Sequence, residues 1–273
     1  MRRIRIDKLA VWVIVSVFSL LAIFPFYIMI VMGTHVSEMI KQRLYLLPGD
    51  YLVENLKTVF STPILTYYWN SIFVAVTTTV GNVIISAAAG YGFAKYKFKG
   101  KKTLFFILIM MLMLPMQLGL IGFVIEMRYL SMMDSLWALI IPPMANAFNV
   151  FWMTQYIRSG VPGDIIESGR IDGSGELSIF IRLVFPIIHP ATITVILLSF
   201  LNSWNNYFTP LVVINSNNKY TIPLGISMFE GRYRTDYAAS ILTLTIATLP
   251  VIILFAFFAK HLIAGLAGGS IKE

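Results

Sequence analysis

Asp164, Glu167, Asp172 and Glu176 stand among Arg170 and Arg182 in the stretch from Val161 to Pro186, the most charged part of the second half of the chain. Asp164 and Glu167 could be read as the paired carboxylates of a glycosidase. Helix initiation accounts for them as well: Pro162 and Gly163 end what precedes, Asp164 can cap a new helix, and Glu167 can reach back in a capping box. Gly173 then offers a helix stop and Ser174 a fresh cap. In the second helix Leu177, Phe180, Ile181 and Val184 recur at i, i+3, i+4 and i+7, which predicts one apolar face. Gly169 and Gly173 leave a bare notch where another surface could sit close. A helix–turn–helix this small cannot bury a core of its own. It either docks against another body or lies on the headgroups as an amphipathic loop.

Other chemistries lack their residues. There is no cysteine, so neither disulfides nor thiolate metal sites are available. No GxxxxGK[ST] phosphate loop is present, so a Walker-type ATP site is excluded. His35, His189 and His261 stand alone, without HExxH, and no metal site is expected.

The elements that must position the charged stretch are membrane spans. The chain has 273 residues, 58% hydrophobic and 12% charged, with mean hydropathy +0.78. A soluble domain would carry about 25% charged residues. Spanning helices need about 20 apolar residues, and six stretches qualify: about 9–32, 70–93, 103–125, 135–157, 190–208 and 237–259. The first follows a basic start and has no small-residue cleavage site, so it reads as an uncleaved span. The second is rich in Gly, Ala and Ser, which lets helix backbones approach closely in lipid. Pro25, Pro115, Pro142, Pro143 and Pro250 fall in mid-span and predict breaks or kinks.

Six spans place both termini on one side. The N-terminus, the lysine turn (Lys95, Lys97, Lys99, Lys101, Lys102), the loop 158–186 and the tail 260–273 together carry 14 Lys and Arg, against 7 in the alternate loops. The bias puts both ends and the charged loop in the cytoplasm. That location also argues against a glycosidase of external sugars. The net charge of +8 follows from the same bias. Nucleic-acid binding is excluded because no basic, aromatic surface lies outside the bilayer.

No Asp, Glu, Lys or Arg lies well inside a span. Carriers driven by ions or protons usually need such groups as relays or ligands. Their absence points to an external energy source and a neutral solute. The polar residues inside the spans are neutral, among them the amides Asn82, Gln117, Asn146, Asn149, Asn202, Asn205 and Asn206. With Trp204 and Tyr207 they suit a hydroxyl-rich ligand, bonded at its edges and stacked on its faces. Alternatively they tie helices together, at about 0.6 kcal/mol each.

The charged stretch resembles the cytoplasmic "EAA" loop of permease subunits in binding-protein-dependent ABC importers. That family pattern runs Glu-Ala-Ala, three residues, Gly, nine residues, then aliphatic–x–Leu-Pro. Here Glu167-Ser168-Gly169 is followed by Arg170-Ile171-Asp172, Gly173, nine residues and Leu183-Val184-Phe185-Pro186. The spacing is kept while both alanines and the final Leu are replaced. Arg170-Ile171-Asp172-Gly173 is similar to the carbohydrate branch. Asn70-Ser71, Gly90-Tyr91-Gly92-Phe93-Ala94, Trp204-Asn205-Asn206-Tyr207 with Pro210, Tyr220 to Gly225, and Tyr233 to Asp236 are similar to the same permease family. The closing Gly265 to Lys272 is similar to the tail of maltose-transporter permeases. Asn206 stands where many members carry an acidic residue, so that charge is not carried over.

The resemblance implies an all-α, polytopic membrane protein of the bacterial or archaeal cytoplasmic (inner) membrane. It implies six transmembrane helices in the type I (MetI-like) importer permease fold, one domain over 1–273, with core spans two to six over about 67–262. Asp164, Glu167, Ser168, Gly169, Asp172 and Gly173 would fit a cleft on the ATPase. Gly268, Gly269 and Ser270 would touch the ATPase from the tail. Asn215, Asn217, Lys219 and Tyr220, in the extracytoplasmic loop 209–236, would meet a binding protein. Gln117, Asn202, Trp204, Asn205, Asn206 and Tyr207 would lie along the substrate path. The implied partners are a second homologous permease, two copies of a cytoplasmic ATPase carrying ATP and Mg, an extracytoplasmic solute-binding protein, a carbohydrate and membrane lipid. The chain itself would bind no cofactor. An ABC permease for another neutral solute, and a self-contained carrier or channel, are the alternatives.

Overall fold

A computed structural model describes residues 3–229 and 235–269, with the side chains at 3–7, 116–117 and 261–269 outside that description. The principal helices are α1 (Arg3–Met32), α2 (Leu52–Phe60), α3 (Ile64–Lys95), α4 (Lys101–Leu112), α5 (Leu120–Tyr129), α6 (Ala147–Gly160), α7 (Gly163–Ile171), α8 (Glu176–Ile187), α9 (His189–Trp204), α10 (Phe208–Val213) and α11 (Tyr237–Gly269). No strand occurs among the described residues. The chain divides into two compact units: Met1–Leu65 with Gly225–Pro250, and Thr66–Leu224 with Val251–Glu273.

In the first unit α1 stays exposed along its apolar length until Val31 and Met32. The segment after it is closed by polar contacts. The Asn55 amide donates to the carbonyls of Gly33 and His35, both at 2.9 Å, and Gly49 N donates to Thr34 Oγ1 at 2.6 Å. Asp236 caps α11, with Oδ1 accepting from Ala239 N at 3.0 Å and from Ser37 Oγ at 2.5 Å. Such a cap satisfies amides that helical bonding leaves free.

The second unit is built on α3, whose 32 residues run without a break. Its small residues do what their size predicts. A Cβ on Gly90 would lie 2.7 Å from Met153 Cβ and 3.0 Å from the α6 backbone, so only glycine permits this helix–helix approach. Ser86 and Ala87 are fully buried. Beside them the amides tie helices together. Asn82 Nδ2 donates to Pro143 O at 2.8 Å, and Asn149 Nδ2 donates to Asn82 Oδ1 and Ser199 Oγ, both at 2.9 Å. Asn146 caps α6 by accepting from Asn149 N.

Among the described residues four helices are long and apolar enough to cross a membrane: Lys8–Met32, Ile64–Lys95, Leu136–Gly160 and Tyr237–Lys260. A fifth candidate is α8 with α9, bent by 81° at Ile188. The expected third span, 103–125, is not one helix. It stops at Leu112, passes Pro115 and a short 3-10 turn (Met116–Gly119), and resumes at Leu120. Pro115 removes a donor and disfavours helix before it, and Gly119 and Gly122 do little to bridge the gap. The fourth is interrupted at Pro142-Pro143, where two consecutive donors are missing. Pro25 and Pro250, by contrast, sit inside continuous helices, each lone and flanked by several good turns.

Candidate functional site

In the charged stretch, α7 ends in a Schellman turn. Ser174 N donates to Gly169 O and Gly173 N to Arg170 O, each at 3.0 Å, while Gly173 takes φ +76°. A Cβ there would meet nothing within 4 Å, so the requirement for glycine is one of backbone conformation, not space. Gly169 differs: it is buried, and a Cβ would come within 2.9 Å of Leu183 Cδ1 and 3.1 Å of Ile179 Cγ1. The notch expected at Gly169 is therefore filled by this chain's own α8, because α7 and α8 must pack somewhere and the glycine is where they touch.

The capping pattern also differs from expectation. Helix α7 begins at Gly163 behind Pro162, without a side-chain cap, and Asp164 sits in its first turn, where a negative charge suits the helix dipole. Gly175, not Ser174, precedes α8. Residues Phe180–Val184 of α8 form a π turn. That extra residue per turn rotates the buried face. Ile179 and Val184, five apart, are fully buried, whereas Leu177 and Ile181 of the expected face are 72% and 54% exposed. Ile171 is 86% exposed. The loop thus presents Asp164, Glu167, Ser168 and Asp172 together with Ile171 and Leu177 on its free surface.

The end of α3 holds this loop. Arg170 Nε lies 2.6 Å from Glu176 Oε1, the Tyr96 hydroxyl donates to Glu176 Oε2, and Lys95 Nζ donates to Val161 O at 2.5 Å. Arg170, then the Tyr96 hydroxyl, holds the Glu176 carboxyl below its ordinary value. Burial, then Glu176, pushes the Tyr96 phenol up. Both directions keep Tyr96 a donor and Glu176 an acceptor around neutral pH. Nothing in the sequence links Tyr96 to Glu176 across 80 positions.

At the other end of α3 a second loop is held. The Asp134 carboxylate accepts from Asn215 N at 2.9 Å, Ser216 N at 2.8 Å, Ser216 Oγ at 2.6 Å and Lys219 Nζ at 3.0 Å. The Ser216 hydroxyl and amide, the Asn215 amide and Lys219 hold this carboxyl well below the usual range. Asp134 itself has φ +54°, a conformation Asp tolerates better than most residues. Asn70 Nδ2 donates to the carbonyls of Asn218 and Tyr220, both at 2.9 Å, Ser71 Oγ accepts from Ile222 N at 2.7 Å, and the Tyr67 hydroxyl donates to Asn217. Asn215 and Asn217 are exposed, Lys219 and Tyr220 half-buried.

The structure separates the residues expected along a substrate path. Trp204 is buried, stacked on Phe200 at 5.5 Å and edge-on to Tyr68 at 5.7 Å. Asn206 Oδ1 accepts from Thr209 N at 3.2 Å, and Tyr207 packs edge-to-face on Phe208. Asn202 and Asn205 are exposed. The Gln117 side chain and Ser270 lie outside the described residues. Gly268 and Gly269 continue α11, and nothing is described of them beyond the backbone.

A family model described as "Binding-protein-dependent transport system inner membrane component" matches residues 81–268, a region that includes the charged loop 158–186 and slightly less than half of α3. The chain is 33% identical over 270 residues to the arabinooligosaccharides transport system permease protein AraQ of Bacillus subtilis (strain 168), covering 97% of this chain and 96% of that one. It is 26% identical over 268 residues to the lactose transport system permease protein LacG of Rhizobium radiobacter, covering 97% of each. Among solved structures, a chain from a bacterial ABC transporter involved in the import of the acidic polysaccharide alginate shares the fold, with TM-score 0.81, 24% identity, and 95% of this chain and 98% of that chain covered. By its sequence, then, this chain belongs to the family of binding-protein-dependent transport system inner membrane components.

Proposed function

We propose that this chain is one permease subunit of an ATP-driven ABC importer that moves a carbohydrate across a bacterial or archaeal cytoplasmic membrane. A second homologous permease, two ATPase subunits and an extracytoplasmic binding protein complete the assembly. Six crossings are counted if α4 and α5 form one broken span and α9 another, with both termini in the cytoplasm. The Lys and Arg bias supports that orientation.

The observation that carries the reading is the docking loop. A left-handed glycine turn holds four polar side chains and two bare aliphatic ones away from the body of the protein, on a loop bonded to the end of α3. Such a mixed surface suits a protein cleft better than bulk water. Closure of the ATPase dimer on ATP would pull this loop and, through it, α3, turning the cavity outward to receive solute. Hydrolysis, on the ATPase and not on this chain, would reset it. Gly268, Gly269 and Ser270 would add a second ATPase contact, and Asn215, Asn217, Lys219 and Tyr220 would meet the binding protein.

Carbohydrate is favoured by the named cargo of the AraQ and LacG relatives. Asn202 and Asn205 are the residues left to line the path, with Trp204 packed behind them. Proteoliposomes holding the assembled complex, its binding protein and ATP should accumulate a labelled oligosaccharide, and omission of the ATPase should abolish accumulation. Uptake driven by an ion gradient without the ATPase would overturn the reading. Uptake of another neutral solute in place of every sugar tested would overturn the carbohydrate assignment alone.

A further inference from the structure

The turn between α3 and α4 gathers positive charge without a counter-ion. Lys97, Lys99 and Lys102 are exposed, Lys101 is half-buried, and Arg158 stands at the end of α6 close enough to repel Lys101. None of these five cations is ion-paired among the described residues. Like charges held together at a surface raise the local attraction for an anion. The turn is fixed, since Gly100 takes φ +82° and Lys101 Nζ donates to Tyr96 O at 2.8 Å.

The charge surrounds a recess. A shallow, open depression is lined by Lys97, Phe98, Gly100, Lys101, Lys102 and Thr103. An aromatic row runs from it along the helices: Phe98 to Phe93 at 5.9 Å, Phe93 to Phe105 at 5.5 Å, Phe105 to Phe151 at 6.2 Å. The Arg158 guanidinium covers the Phe105 ring at 4.7 Å. The membrane-length helix Ile64–Lys95 ends just before the recess and α4 begins at its far side, so cations and aromatic rings meet at the boundary between water and hydrocarbon. A free anion would use the lysines and leave the aromatic row without a role. A phospholipid uses both.

We propose that this turn binds the phosphate headgroup of an anionic phospholipid, with Lys97 and Lys102 of the recess as partners of the phosphate, Lys99 adding charge beside them, and Phe98 beside the first part of an acyl chain. The site depends on the chain crossing a membrane and not on its cargo, so a failed sugar-uptake assay would not count against it.

Native mass spectrometry of the full-length protein, purified in its assembly, tests the assignment by titration with phosphatidylglycerol and phosphatidylcholine of identical acyl chains. Phosphatidylglycerol should be retained about tenfold more tightly. The triple variant Lys97→Gln, Lys99→Gln, Lys102→Gln should lose that preference, and the corresponding triple arginine variant should keep it. Equal retention of the two lipids by the unmodified protein would overturn the proposal, whatever the variants do. A preference unchanged in the glutamine variant would overturn it too. Displacement of phosphatidylglycerol by millimolar inorganic phosphate would reassign the recess to a free anion.

Discussion

The two loops fastened to the ends of α3 differ in how many directional bonds hold them. The docking loop is held mainly by apolar packing, with Ile166, Gly169, Ile179 and Val184 buried and its one ion pair 45% exposed on both sides. The loop around residues 215–222 is held by directional bonds: four reach the Asp134 carboxylate and others reach Tyr67, Asn70 and Ser71. Apolar attraction is non-directional, whereas hydrogen bonds weaken steeply when misaligned. The loop around residues 215–222 therefore has its register fixed by more directional bonds than the charged loop has.

The sharpest way to break this contrast is at Asp134. Asp134→Ala should destabilise the protein by about 2–4 kcal/mol, since several donors lose a charged acceptor and alanine is disfavoured at that positive φ. Thermal unfolding in detergent would measure it, and an unchanged midpoint would show that the clamp is ornamental. Its acid response has a definite sign. The folded carboxyl titrates below its unfolded value, so its contribution is complete above about pH 4–5 and fades as pH falls further. Hydrogen exchange of residues 215–219 should therefore be as slow at pH 5.5 as at pH 7.5, once corrected for intrinsic rates.

A smaller effect is expected in the docking loop. Gly169→Val should cost about 1–3 kcal/mol by forcing Ile179 and Leu183 aside. Gly173→Val should cost about 1–2 kcal/mol through backbone strain alone, and Gly173→Asn should recover most of it, because asparagine tolerates the left-handed region. If Asn and Val were equally harmful, free space would be the true requirement at Gly173. Smallest of all should be Tyr96→Phe, which removes one exposed bond to Glu176. No shift in the unfolding midpoint is expected. The readout is the ATPase rate per sugar transported, which should rise if that bond passes movement between α3 and the loop.

Much of the docking loop was legible in the sequence, because a left-handed turn almost demands glycine and Gly173 fixes where α7 must stop. Its buried face was not, because i, i+3, i+4 spacing presumes 3.6 residues per turn and the π turn at Phe180–Val184 breaks that period. The breaks expected at mid-span prolines occur at Pro115 and at Pro142-Pro143, and not at Pro25 or Pro250, where the surrounding helix carries the single proline without interruption. At Asn82 and Asn149 the amides tie helices together, whereas Trp204 reads as ligand-facing in sequence and proves to be core. An amide or indole inside a span carries the same letters whether it faces a ligand or a neighbouring helix.

Helix α3 is 32 residues long and unbroken, which at 1.5 Å per residue makes it about 48 Å from tip to tip. Asn82, near its middle, is bolted to Pro143 and Asn149. Were the loop beside Tyr96 pushed, the unbroken helix would carry part of that stroke toward its Tyr67 end, since no joint lies between them.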